Sequence, residues 1–223
     1  MLLRAVGMAS ALVVASSALA DSVNVSFDRF TSNASENVEA QFNVEVKTVS
    51  GSSMLGGLSF VDFIFTNTAV ISSSISEVYF DNGVVSSLFT SGAIESQVGT
   101  SFVFGSANPG ELPSGNTLTP AFETTLAFLA DAQGNPSLGV DTPTDALTLR
   151  FALVSLKSFS DVASALDDGS LRIGLHVRSI GANGQSDSFV NGGPPPIVPL
   201  PGPGAMGAAG LLTVFGARRR RRV

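Results

Sequence analysis

Residues 38–47 alternate apolar and polar side chains without a break: Val38, Ala40, Phe42, Val44 and Val46 against Glu39, Gln41, Asn43, Glu45 and Lys47. An extended strand turns successive side chains to opposite faces, so a period of two yields one buried and one wet face, whereas a helix would scatter both sets around its circumference. The same period recurs at residues 23–30, 58–66, 75–80, 84–89, 100–104, 121–129, 146–156, 171–180 and 186–190, which predicts about nine or ten strands. In 58–66, Phe63 and Phe65 face one side while Phe60, Asp62 and Ile64 face the other, so this strand is expected to be covered on both sides and central. Turn residues punctuate the runs: Asp81-Asn82-Gly83, Gly134-Asn135-Pro136, Asp167-Asp168-Gly169 and Gly181-Ala182-Asn183-Gly184.

One helix is expected, over 159–166, with Ser158 or Ser160 as its cap and Asp161 in the first turn, where the helix dipole favours negative charge. Phe159, Val162, Ala163 and Leu166 fall at i, i+3, i+4 and i+7, enough for one face to lie over a sheet edge. Many short strands, tight turns and one short helix predict an all-β fold over 21–191, an antiparallel β-sandwich of jelly-roll type. A closed barrel is the alternative.

Composition removes chemistry. The chain of 223 residues has no cysteine, no tryptophan, one tyrosine and one histidine. Disulfides, thiolate metal sites, a cysteine nucleophile and a lipid-bearing cysteine are all excluded. Residues 21–199 carry 6 basic against 18 acidic side chains, a balance that repels phosphate backbones and anionic lipid, so nucleic acid is not an expected partner.

The two ends read as addresses. Arg4, an apolar stretch over 5–19, and the small residues Ala18 and Ala20 before Asp21 form a secretory signal peptide, expected to be removed at 1–20 by signal peptidase. At the other end, 192–203 is a Gly/Pro-rich linker, Gly192-Gly193-Pro194-Pro195-Pro196-Ile197-Val198-Pro199-Leu200-Pro201-Gly202-Pro203, too dense in proline for a helix or a sheet ladder. Residues 204–217 form a short apolar span, roughly 21 Å as a helix against a hydrocarbon core of about 30 Å. Arg218, Arg219, Arg220, Arg221 and Arg222 follow, and such a cluster stays in the cytoplasm, leaving the body outside. A membrane helix this short holds weakly. A lipid-anchor signal that ends apolar does not fit five terminal arginines. Gly202, Gly204 and Gly207 match the spacing of a dinucleotide fingerprint by chance, since prolines precede them where a strand is needed.

The order Val198-Pro199-Leu200-Pro201-Gly202-Pro203, small-residue helix and Arg218 to Arg222 resembles the C-terminal sorting domain of PEP-CTERM proteins, in the variant opening Val-Pro-Leu-Pro. Pro201-Gly202-Pro203 stands where the commonest form has Pro-Glu-Pro. The resemblance spans about 26 residues and implies recognition by an exosortase, a membrane cysteine protease or transpeptidase that removes the helix and basic end. It also implies a Gram-negative host that makes extracellular polysaccharide. The segments 75–83, 105–113, 171–177 and 186–191 are similar to a recurrent globular part of the same family, for which no activity is implied.

Chemistry is sparse in the body. His176 should project from its strand opposite Leu171, Ile173, Leu175 and Val177, beside Arg172 and Arg178; those charges disfavour a metal or base role unless a carboxylate joins it. No G-x-S-x-G elbow occurs. Glycosidic chemistry would need two carboxyls across a cleft and aromatic platforms, which are scarce here. The turns at Asp81 and Asp167-Asp168 offer oxygen ligands without the spacing of a calcium loop. No catalytic residue, metal or cofactor is therefore expected. The chain reads as a non-enzymatic exported protein, anchored transiently in the inner membrane, then placed on the cell surface or in an extracellular matrix with exopolysaccharide. The alternative is a secreted carbohydrate-binding or carbohydrate-active protein with the same tail.

Overall fold

The computed structural model describes residues 22–49, 59–81, 83–105, 110–125, 130–132 and 135–191. The expected leader with its Ala18-x-Ala20 site before Asp21, the sorting motif from Val198 to Pro203, the span 204–217 and the five terminal arginines lie outside the described residues. Among the described residues, no helix is long and apolar enough to cross a membrane.

The strands are β1 (Ser22–Val25), β2 (Phe27–Arg29), β3 (Phe42–Thr48), β4 (Phe60–Asn67), β5 (Ser74–Phe80), β6 (Phe89–Val98), β7 (Val103–Phe104), β8 (Ala130–Asp131), β9 (Ala146–Leu153), β10 (Ile173–Ile180) and β11 (Gln185–Asn191). They form two antiparallel sheets, ordered β1-β3-β4-β9-β6 and β2-β11-β10-β5-β8-β7. The inward alternates of both sheets share one core, as in a β-sandwich. Phe63 of β4 sits at its centre, edge-on to Phe80, Phe89 and Phe151 at centroid distances of 5.5, 6.0 and 5.2 Å. Across the other end, Phe42 of β3 meets Phe189 of β11 at 5.1 Å. These phenylalanines supply the aromatic packing that tryptophan would otherwise provide.

Each difference from the sequence reading has a local cause. The run 23–30 divides at Ser26 into β1 and β2, one in each sheet; Val25 and Phe27 both still face the shared core, so alternation is blind to the crossover. The run 38–47 becomes a strand only from Phe42, because Glu39–Gln41 is a 3-10 turn. Gln41 is buried there, donating to Ile71 O and Ser73 Oγ at 3.0 Å each. β4 is central in its sheet, but its outer side carries an ion pair rather than a cover: Arg150 Nε and Nη2 reach Asp62 at 2.7 and 2.8 Å. The strand buried on both faces is β5.

Among the described residues, two α-helices are present where one was expected. Residues 84–89 hold a single turn, α1 (Val85–Leu88), instead of a strand. Val85 and Leu88, three apart, are buried while Ser86 and Ser87 are exposed, a pattern that a strand would invert at Ser87. The second, α2 (Phe159–Asp167), starts from a capping box in which the Ser158 backbone N–H donates to Asp161 Oδ2 at 2.9 Å; the Ser158 hydroxyl donates to the same oxygen at 2.7 Å. Its buried face is Val162, Ala165 and Leu166, with Ala163 only half-buried. In the described part of 121–129, Thr124 makes a single bridge to Asp81, and 126–129 lie outside the described residues.

Candidate functional site

The unusual surface of this sandwich is the outer face of the second sheet. β5 and β10 pair in antiparallel register with Tyr79 opposite Gly174 and Glu77 opposite His176, and a bulge at Ser76 brings Ile75 opposite Val177. Glu77 is also paired with Asp131 of β8, and His176 with Ser188 of β11. One row across four strands therefore reads Asp131, Glu77, His176, Ser188, all buried, with Glu77 at 0% exposure.

A carboxylate removed from water needs polar or charged partners. Two groups stand against Glu77: His176 Nδ1 lies 2.7 Å from Oε2 and Arg178 Nη2 lies 2.9 Å from Oε1. The Arg178 guanidinium is the cationic partner of this carboxylate, and His176 stands beside its other oxygen. Two residues along β5, burial drives the Tyr79 hydroxyl far above the ordinary phenol range, and the negative charges of Glu77 and Asp131 add to the effect.

Half of this face is roofed by 110–125. Leu112, Phe122 and Tyr79 form a second small apolar core outside the sandwich, with Phe30, Leu118 and Val190 against it. Gly174 makes the close approach possible: a Cβ there would stand 2.6 Å from Leu112 Cδ2. Arg172 clamps the roof, donating to Pro120 O at 2.7 Å and Ala121 O at 2.6 Å, pairing with Asp81, and standing 5.3 Å over the Phe122 ring. Asp81 also accepts from Glu123 N at 3.1 Å, and Glu111 Oε2 from Thr124 N at 3.1 Å. The roof carries a groove of about 750 Å³ whose lining includes Pro113, Asn116 and Ala121 and the acidic residues Glu111 and Glu123. Ser114, beside Pro113, is held at φ 61°, a left-handed conformation that costs a residue with a Cβ.

His176 projects on the expected side, with Arg178 beside it, and Glu77 is the carboxylate that joins them. Arg172 shares the face but is committed to the roof. Nothing local in the sequence pairs residue 77 with residue 176; only strand register does. The order Glu77-His176-Ser188 invites comparison with a hydrolytic triad, but Ser188 Oγ makes no hydrogen bond to His176 among the described residues, where all three side chains are buried.

Other acidic groups are spoken for locally. Asp187 accepts from Thr31 Oγ1 and Asn33 N at 2.7 Å and from Ala34 N at 3.1 Å. Asp168 Oδ1 accepts from Ser170 N at 2.8 Å. Asp141 is pushed up to about 6 by burial first and then by its hydrogen bond to Asp145. Among the described residues, no three histidine or acidic side chains converge to hold a metal ion. Compared with known proteins, the chain has no significant match to any family model, curated protein or solved structure.

Proposed function

We propose that this chain is an exported, non-enzymatic surface or matrix protein, whose β-sandwich is carried out by an N-terminal leader and sorted by its C-terminal tail. The observation that carries the reading is the tripartite tail: Val198-Pro199-Leu200-Pro201-Gly202-Pro203, a 14-residue apolar span and five arginines. The span is too short for a durable anchor and the arginines set its orientation, while a proline-rich ligand stays extended for a protease to grip. Signal peptidase and an exosortase-type enzyme are the partners during export, the inner membrane is the transient anchor, and exopolysaccharide is the expected surrounding. Jelly-roll connectivity and the membrane helix over 204–217 belong to the same reading, the first supported by the crossings between sheets at Ser26 and between β4 and β5.

Intact-mass analysis of surface or secreted material tests it. The mature chain should end within 198–204, and Ala substitutions at Pro199, Leu200 and Pro201 should leave full-length protein in the inner membrane. A dominant species that still contains 205–223 refutes sorting and leaves a simple tail anchor.

One observation favours a second reading, a secreted carbohydrate-binding or carbohydrate-active protein with the same tail: Glu111 and Glu123 line one groove. Release of sugar from host polysaccharide that E111Q and E123Q each abolish would establish it.

A further inference from the structure

Three of the four sheet edges in the sandwich are short: β1 has four residues, β2 three and β7 two. The fourth is β6, whose ten residues make it the longest strand among the described residues. It pairs with β9 on one side, and from Thr90 to Val98 every residue is exposed except half-buried Gly92 and Ile94. A long edge presents a row of backbone N–H and C=O groups that can template another strand, and natural edges are blunted by short length, lysine, proline or bulges. β6 contains no lysine and no proline. Its guards are the two register shifts, between Phe89 and Ser91 and between Ile94 and Ser96, and Ser91 to Ile94 run in unbroken register between them.

Charge selects what can lie along this edge. Residues 21–199 carry 18 acidic against 6 basic side chains, so two copies repel across most of their surface. Between Asp81 and Glu111, however, Glu95 is the one charged residue, and Arg150 Nη1 neutralises it from 2.6 Å. The β6 edge is therefore a neutral strip on an acidic body, where a second copy meets no repulsion; a basic partner would find its charge matched elsewhere. Val98, at the end of β6, and Val103, at the start of β7, are two of the four large apolar side chains left exposed among the described residues, and each belongs to an edge strand on this side of the sandwich.

We propose that a second copy of this chain lays its own β6 antiparallel along this edge, about a two-fold axis at Ala93, so that two five-stranded sheets join as one of ten strands. Antiparallel pairing of identical strands is self-complementary, as a two-fold interface requires. An axis at exposed Ala93 sets that small side chain against its own copy and Ser91 opposite Glu95, so the two glutamates do not face each other. A contact confined to one edge is small, which makes the dimer weak and concentration-dependent. The pairing uses only the folded body and is independent of the sorting reading.

The chain has no cysteine, so single cysteines report the pairing. In the protein as recovered from its host, sedimentation equilibrium up to about 1 mM should show monomer giving way to dimer. Ala93→Cys should form a covalent dimer at least about tenfold faster than Val70→Cys, an exposed site in the β4–β5 connection. Ser91→Cys should link more slowly than Ala93→Cys, because its own copy lies off the axis. Ala93→Glu sets two like charges together on the axis but faces Arg150 within its own chain, so it should return the protein to monomer with an unchanged circular dichroism spectrum. A chain that stays monomeric throughout, a dimer that survives Ala93→Glu, or Val70→Cys linking as fast as Ala93→Cys each overturns the proposal. A monomer carrying the added mass of a co-purified peptide assigns the edge to a foreign strand and overturns it too.

Discussion

Asp187→Ala is the sharpest test of how the sandwich end is held. Asp187 is on the core side of β11, opposite Val177, with its side chain fully enclosed. It gathers Thr31 Oγ1, the backbone N–H groups of Asn33 and Ala34, and Arg29 Nη1 at 3.4 Å. On truncation, Arg29 keeps the carbonyls of Ala34 and Glu36, at 3.2 and 3.1 Å, and Thr31 can rotate. The two backbone donors cannot; Ala34 is buried, and a buried donor left without an acceptor costs about 1–3 kcal/mol, whereas the N–H of exposed Asn33 can turn to water at a smaller cost. The loss should be about 2–3 kcal/mol. At about 2–4 °C per kcal/mol for a domain of this size, the melting temperature should fall by about 4–12 °C. Asp187→Asn keeps the shape and one acceptor and should lose about half as much. Glu45→Ala, from a wet-face pair with Lys47 at 3.7 Å, is the control and should stay within about 0.5 kcal/mol. Thermal melts by circular dichroism at neutral pH decide: if D187A melts no lower than E45A, the carboxylate does not organise residues 30–36 and the reasoning fails.

Gly92→Ala should destabilise by about 1–3 kcal/mol, because a Cβ there would lie 2.7 Å from both Phe104 Cζ and Phe151 Cε1; an unchanged denaturant midpoint would mean the β6 edge yields freely. Asp141, held up to about 6 against an ordinary 3.8, binds its proton more tightly when folded, so its contribution is favourable at low pH and is lost as pH rises from about 4 to 6. The stability difference between the wild type and Asp141→Asn should change across that window and flatten above it; parallel curves refute the assignment. N-terminal sequencing of exported protein should begin at Asp21, following Ala20, and retention of Met1 would refute cleavage.

Alternation identified the strands whose one face is wet or whose both faces are apolar: β3 from Phe42, β4, β9 and β10 are all where the period of two puts them. It failed where two registers coexist. β6 was not legible because shifts between Phe89 and Ser91 and between Ile94 and Ser96 reset the alternation, and an edge strand has no second neighbour to demand apolar residues. At Val84-Val85-Ser86-Ser87-Leu88-Phe89, spacings of one, three and four are all apolar, so helix and strand compete and packing decides. The buried row was half visible. The outward side of His176 follows from its strand, but Glu77 joins it from about a hundred residues away in sequence, and only pairing of β5 with β10 brings them together.

The split of the first strand pair at Ser26 has a geometric consequence for a tethered protein. Because β2 runs antiparallel to β11, Phe27 stands opposite Asn191, and the chain enters and leaves at the same pole of the sandwich. Under the proposed tether, the first described strand, β1, lies at the pole nearest the attachment. The opposite pole is built from the β4–β5 connection and the tight turn before β11, where Gly181 N donates to Ser72 O at 2.9 Å and Val70 stands 84% exposed. If the proposed C-terminal tether holds the body, that pole, rather than the ladder of either sheet, is the part that faces away from the attachment.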